Sequence, residues 1–146
     1  MKRKQPQPSD PIDLAAKALQ QRDRSRREID ERLARAGVED ERREDALAAL
    51  ERIGYVDDGR FAGQRAASLA ERGYGDEAIL ALLAADGVTP DVAAGAVGAL
   101  RPEAERAAEI VASLGGASPR TAARLARKGF GEDAVEAAAG EFATDG

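Results

Sequence analysis

Apolar residues recur along this chain at helical spacing. Ile29 and Leu33 stand four apart, Leu47 and Leu50 three apart, and Ile79 and Leu83 four apart. Almost no segment alternates apolar and polar positions with period two, and β-branched residues are sparse. Ala, Leu, Arg and Glu dominate instead, all good helix formers. Start signals are frequent. Asp10-Pro11, Thr89-Pro90 and Ser118-Pro119 each place a capping residue before a proline suited to the first helical position. Ser25 and Glu28 have the spacing of a capping box, and Asp40, Asp58 and Asp76 are further N-cap candidates. Gly37, Gly54, Gly73, Gly87, Gly115 and Gly129 each follow a helical pattern, where glycine closes a helix end without a Cβ penalty. The pattern predicts helices over 11–21, 26–36, 41–53, 59–72, 76–85, 90–100, 102–114, 119–128 and 132–142.

Registering the glycines exposes a weak repeat. Ile29, Leu33 and Gly37-Val38 correspond to Ile79, Leu83 and Gly87-Val88, and then to Thr121, Leu125 and Gly129-Phe130. Leu19, Leu69 and Val111 precede these glycines at equal distance. Leu50, Leu100 and Phe142 follow them, as do Leu47, Val97 and Ala139. The periods are 50 and 42 residues, with three predicted helices in each unit. Internal repetition at such periods signals small modules that pack on their neighbours. The predicted fold is all-α: three tandem three-helix repeats forming an extended, curved array. Repeat 1 spans 11–57, repeat 2 spans 58–101 and repeat 3 spans 102–142, between tails at 1–10 and 143–146.

Composition fits that plan. Leu, Ile, Val and Phe supply about 18% of the 146 residues, below the roughly 20% at which disorder becomes an option. The net charge of −5 is too small to meet the companion criterion for disorder. Rationed among three small alanine-rich bundles, a few aliphatics suffice. The chain has neither Cys nor His, which removes thiolate nucleophiles, disulfides, the usual neutral-pH base and the commonest metal ligand. No catalytic group, cofactor or metal is expected. The pI near 4.9 argues against a protein that coats nucleic acid by bulk charge. No apolar run approaches a membrane span, so no membrane partner is expected. Met1–Ser9 is basic but has no apolar stretch of a secretion signal. It reads as a short disordered tail and the protein as cytoplasmic.

Three segments carry a family likeness. Gly54-Tyr55-Val56-Asp57-Asp58-Gly59-Arg60-Phe61-Ala62 is followed, eleven residues on, by Gly73-Tyr74-Gly75, itself preceded by Arg72. The third repeat carries Arg124-Leu125-Ala126-Arg127-Lys128-Gly129-Phe130. In order and spacing these resemble the RecX family, regulatory proteins of the bacterial recombinase RecA, over about residues 12–142. The resemblance implies a non-enzymatic modulator acting in DNA repair, recombination and the SOS response. Such a protein would bind along the groove of the RecA–DNA filament and inhibit strand exchange, ATP hydrolysis and coprotease function. A monomer is expected, with a weak single-stranded DNA contact as a lesser expectation. Where relatives are often basic in the second helix of the middle repeat, this chain has Asp76 to Asp86 without a single cation. That departure weighs against direct DNA contact there.

The individual residues admit two readings each. Asp57 and Asp58 fit a turn and a helix N-cap better than a metal or acid–base pair, because no third acidic ligand stands at a recognisable spacing. Phe61 fits the core. Arg60 either pairs with the aspartates or faces the partner. Gly73 and Gly75 fit a C-cap and tight turn, since a dinucleotide fingerprint needs a third glycine and a preceding strand. Tyr74 and Tyr55 either pack over helix ends or anchor a partner. Arg120, Arg124 and Arg127 follow an i, i+4, i+7 path next to Lys128, so one face is basic with no intervening acid. That face is either solvated surface or a partner contact. Arg26 and Arg27 belong to a first cluster with Arg22 and Arg24, whose field Asp23, Glu28, Asp30 and Glu31 weaken. The alternative to a filament regulator is a helix-turn-helix DNA-binding protein, and a generic helical scaffold is a third class.

Overall fold

A computed structural model describes residues 10–140. Among them lie nine helices and no strand: α1 (Pro11–Gln21), α2 (Arg26–Arg35), α3 (Asp40–Arg52), α4 (Asp58–Glu71), α5 (Asp76–Ala85), α6 (Pro90–Gly98), α7 (Glu103–Ser113), α8 (Pro119–Arg127) and α9 (Glu132–Ala139). Of the tails expected at 1–10 and 143–146, all but Asp10 lie outside the described residues, as does the last turn expected to carry Phe142.

The local signals account for most boundaries. Asp10 accepts from the Ile12 amide at 2.9 Å. Ser25 and Glu28 form the reciprocal capping box, and Ser118 forms another with Thr121, an unforeseen partner. Three expected caps differ. Glu39 precedes α3, so Asp40 is its first helical residue. Asp76 and Asp58 likewise open α5 and α4 from inside. At α4 the cap is Asp57, whose carboxylate accepts from the Arg60 amide at 3.0 Å and whose carbonyl accepts from Phe61 at 2.9 Å. Asp58 is thereby released for a different bond. Thr89 stands at the cap position of α6 without a side-chain bond. The closing glycines Gly37, Gly87 and Gly129 share a left-handed φ of 85–89°, a region open to glycine at little cost.

The described residues group into two compact units. The first holds α1, α2, α3 and the chain up to Phe61, together with Asp86–Val88. Its core is Ala15, Ala18, Ile29, Leu33, Val38, Ala46, Leu47, Leu50 and Val56, with Leu19 packed against it. The buried residues of α1 itself are Pro11, Ala15 and Ala18, small enough to let the helices approach closely.

The second unit takes Ala62–Ala85 and the chain from Thr89 onward. Here α9 packs on both α7 and α8, and α5 packs on α6. Ala107, Val111, Ala122, Leu125, Phe130, Ala134, Val135 and Ala139 form one core cluster. The repeat positions Ile79, Leu83 and Leu69 are also buried. Leu100 and Val97, by contrast, are only half-buried. α6 stops at Gly98, before it can carry Leu100 inward as α3 carries Leu50.

One hydrogen-bond pattern occurs in both units. In the first, Asp58 accepts from the Arg26 amide at 2.7 Å, and the buried Ser25 hydroxyl donates to the Asp86 carbonyl at 2.7 Å. In the second, Glu103 accepts from the Asp76 amide at 2.6 Å, and the Gly75 amide donates to the Lys128 carbonyl at 2.8 Å. Each time, an acidic residue opening one helix holds the first amide of another, and a loop carbonyl closes beside it. Those first amides have no partner within their own helix, so these bonds satisfy groups that would otherwise face burial unpaired.

Candidate functional site

The side chains of the motif residues are committed within the chain. The Arg60 guanidinium grips Asp23 through Nε at 2.8 Å and Nη2 at 3.1 Å. It also donates to the carbonyls of Gly54 at 2.9 Å and Tyr55 at 3.3 Å. The hydrogen bond to Asp23 raises its already high pKa further. Phe61 is buried. Asp57 caps α4 while Asp58 reaches Arg26, as described. This acidic and arginine motif therefore fastens the first unit together.

Gly73-Tyr74-Gly75 does the same for the second unit. Gly73 has φ +86° at the end of α4. A Cβ on Gly75 would lie 2.4 Å from the Phe130 nitrogen and 2.5 Å from the Gly129 carbonyl. Only a residue without one lets these backbones touch. Lys128 lays its ammonium 3.9 Å above the Tyr74 ring, a cation–π contact that holds the loop's side chains as its backbone bonds hold the main chain. Tyr55, in contrast, is 55% exposed.

Arg26 is also occupied, with Nε 2.8 Å from Glu51 and Nη2 2.7 Å from Glu44. The Glu51 hydrogen bond is the main reason its pKa is raised. Arg27 is exposed, lies 3.6 Å from Glu31 and runs along Gly87, where an added Cβ would meet it at 2.7 Å.

The arginines on and near α8 behave differently. Arg120, Arg124 and Arg127 are exposed on one side of α8, and Arg72 is exposed at the end of α4. Among the described residues no carboxylate pairs with any of these four. Thr121 and Leu125 point inward and are buried, so the helix is sharply divided. Arg120, Arg124 and Arg127 line a groove of about 720 Å³ with Leu114, Pro119 and Ala123. A smaller cavity of about 160 Å³ brings Arg72, Arg124 and Lys128 together beside Glu71. Of the nine side chains singled out for partner contact, the structure thus gathers a basic cluster on and beside α8. Arg26, Arg27, Arg60, Tyr74 and Lys128 are engaged with their own chain.

Two structural residues escaped the sequence reading. Arg106 is 6% exposed and donates to the carbonyls of Arg101 at 2.9 Å and Tyr74 at 3.1 Å. It is also ion-paired with Asp76, and its guanidinium lies 5.9 Å from the Phe130 ring centre. Glu103 accepts from both Asp76 and Gly131 amides, at 2.6 and 3.1 Å. The available signal was Arg106 standing four residues before Ile110, on the face that also carries Ala107 and Val111.

No group of three or more potential metal ligands occurs among the described residues. None of their helices is long and apolar enough to cross a membrane.

Relatives place these features in context. No protein-family model matches the chain. Regulatory proteins RecX from two strains of Stenotrophomonas maltophilia are 30% and 31% identical to it, each over 94% of this chain and 90% of the relative. The chain belongs to the RecX family of regulatory proteins. A RecX regulatory protein of Amycolatopsis mediterranei is 36% identical over 75% of this chain and 69% of its own length. The crystal structure of RecX from Lactobacillus salivarius has the same fold, with a TM-score of 0.79 over 94% of this chain and 97% of that one. Its identity is only 16%, so the helical framework persists where most side chains have changed. The RecX resemblance and the all-α fold read from the sequence both hold.

Proposed function

We propose that this RecX-family chain is a non-enzymatic regulator that binds the RecA–DNA filament as a monomer and restrains it. Restraint here means inhibiting or tuning strand exchange, ATP hydrolysis and coprotease function. The observation that carries the reading is the face of α8. In a chain of net charge −5, Arg120, Arg124 and Arg127 stand exposed together, without carboxylate partners among the described residues. By contrast, Arg26 and Arg60 are neutralised at close range by carboxylates of their own chain. Unpaired like charges side by side repel one another, so keeping them there is explained by a partner that supplies the opposite charge. A weak single-stranded DNA contact belongs to the same reading, as a minor contribution.

Purified protein added to RecA on single-stranded DNA tests this. Co-sedimentation with the filament and slower ATP turnover are the expected results. Steep salt dependence on naked duplex DNA, without any effect on the filament, would instead support a helix-turn-helix DNA-binding protein.

A further inference from the structure

We infer that the basic face of α8 receives a carboxylate-bearing, amphipathic segment of a protein partner, not the phosphate backbone of a nucleic acid. The inference rests on the regulator reading and narrows it, assigning this face to the protein component of the filament. Guanidinium forks match carboxylates and phosphates equally well, so Arg120, Arg124 and Arg127 do not discriminate between them. Their surroundings do.

The groove has an apolar side. Leu114 is 43% exposed and lines it with Pro119 and Ala123. An amphipathic segment can cover these while placing acidic side chains on the arginines, whereas a sugar–phosphate backbone offers them nothing apolar. Single-stranded nucleic acid is held without sequence preference by aromatic platforms for its bases, and no aromatic residue lines this groove. The backbone amides that usually greet phosphate at a helix start are also depleted. Pro119 opens α8 without an N–H, and the Thr121 amide already donates to Ser118 Oγ at 3.1 Å, which leaves the Arg120 amide of that turn. Finally, the chain's negative net charge opposes the approach of a long polyanion. A carboxylate segment of modest charge meets the local positive face with less of that opposition.

The test is fluorescence anisotropy with two labelled probes. One is a short end-blocked peptide bearing glutamates at i, i+4 and i+7 and a leucine on the same helical face. The other is oligothymidylate. The peptide is expected to bind, and Arg124→Ala with Arg127→Ala to weaken it about tenfold. Leu114→Ser, which leaves charge untouched, is expected to weaken it about threefold, and excess oligothymidylate to leave it bound. All substituted side chains are exposed, and circular dichroism verifies the fold.

Displacement by oligothymidylate, or indifference to Leu114→Ser, overturns the inference in favour of a phosphate-binding face. A wild-type dimer in light scattering that the double substitution dissolves overturns it in favour of a second copy of this chain. Filament co-sedimentation run in parallel separates the two levels. A wild type that binds filaments but not peptide loses this assignment alone, and one that binds no filament loses the regulator reading.

Discussion

The Asp58 carboxylate accepts a hydrogen bond from the Arg26 backbone amide at 2.7 Å, across 32 residues of sequence. Arg26 is the first residue of α2 and Asp58 the first of α4. One negative charge therefore stands at the positive ends of two helices, where it stabilises both. Its neighbour Asp57 performs the ordinary capping of α4. The two adjacent aspartates are thus divided between two helices, which explains them without any catalytic role.

Asp58→Ala is expected to cost about 1–2 kcal/mol through loss of the charge-assisted bond to Arg26. Asp57→Ala is expected to cost about 1 kcal/mol through loss of the α4 cap. Urea unfolding gives the totals, and native-state amide exchange tells the residues apart. Arg26 should exchange faster in Asp58→Ala and stay protected in Asp57→Ala. Equal protection of Arg26 in both variants would contradict the division of labour.

The two glycines around Tyr74 differ in kind. At Gly73 the obstacle is the left-handed φ, since an added Cβ has only ordinary contacts, the nearest at 3.8 Å. At Gly75 the obstacle is the backbone of Gly129 and Phe130, 2.4–2.5 Å from the same atom. Gly73→Ala should therefore cost about 1 kcal/mol. Gly75→Ala should cost about 2–4 kcal/mol, combining overpacking with loss of the bond to the Lys128 carbonyl. Comparable denaturation midpoints for the two variants would show that the close approach is not tight.

How far the sequence foretold this structure depends on how local each determinant is. Helix ends were readable because glycines, prolines and capping hydroxyls act within a turn of themselves; α1 and α5 begin and end where the pattern places them. The roles of Asp57 and Asp58 were not, because either can cap α4 and the deciding group is a distant amide. Arg60 admitted a partner or an internal aspartate, and the internal partner, Asp23, lies 37 residues away in sequence. Whether an arginine is paired is a tertiary property. It separates Arg26 from Arg124, which look alike as letters.

Arg106 shows the same limit from the core side. Its flat fork serves two carbonyls and the Asp76 carboxylate at once, while the ring of Phe130 lies nearby. A lysine carries the charge on a single compact ammonium and cannot reproduce that set. Arg106→Lys is expected to lower stability by about 2 kcal/mol, with the exposed third of Asp76 limiting the loss. Chemical denaturation that returns a wild-type midpoint would mean that the ammonium satisfies the same acceptors.

The proposed partner contact lies on α8. Arg124→Glu with Arg127→Glu reverses the charge of an exposed face and leaves the buried Thr121 and Leu125 alone, so helicity and melting should stay near wild type. Apposing two like charges to a partner's carboxylates costs several kcal/mol, and inhibition of RecA-driven ATP turnover on single-stranded DNA should fall by about tenfold or more. Arg26→Glu offers a contrast. It breaks pairs with Glu44 and Glu51 and should disturb stability more than inhibition. Titrating each variant into the ATPase assay alongside a thermal melt resolves the two effects. Full inhibition by the α8 double variant would reduce its three arginines to solvated surface and move the search for the contact to the rest of the chain.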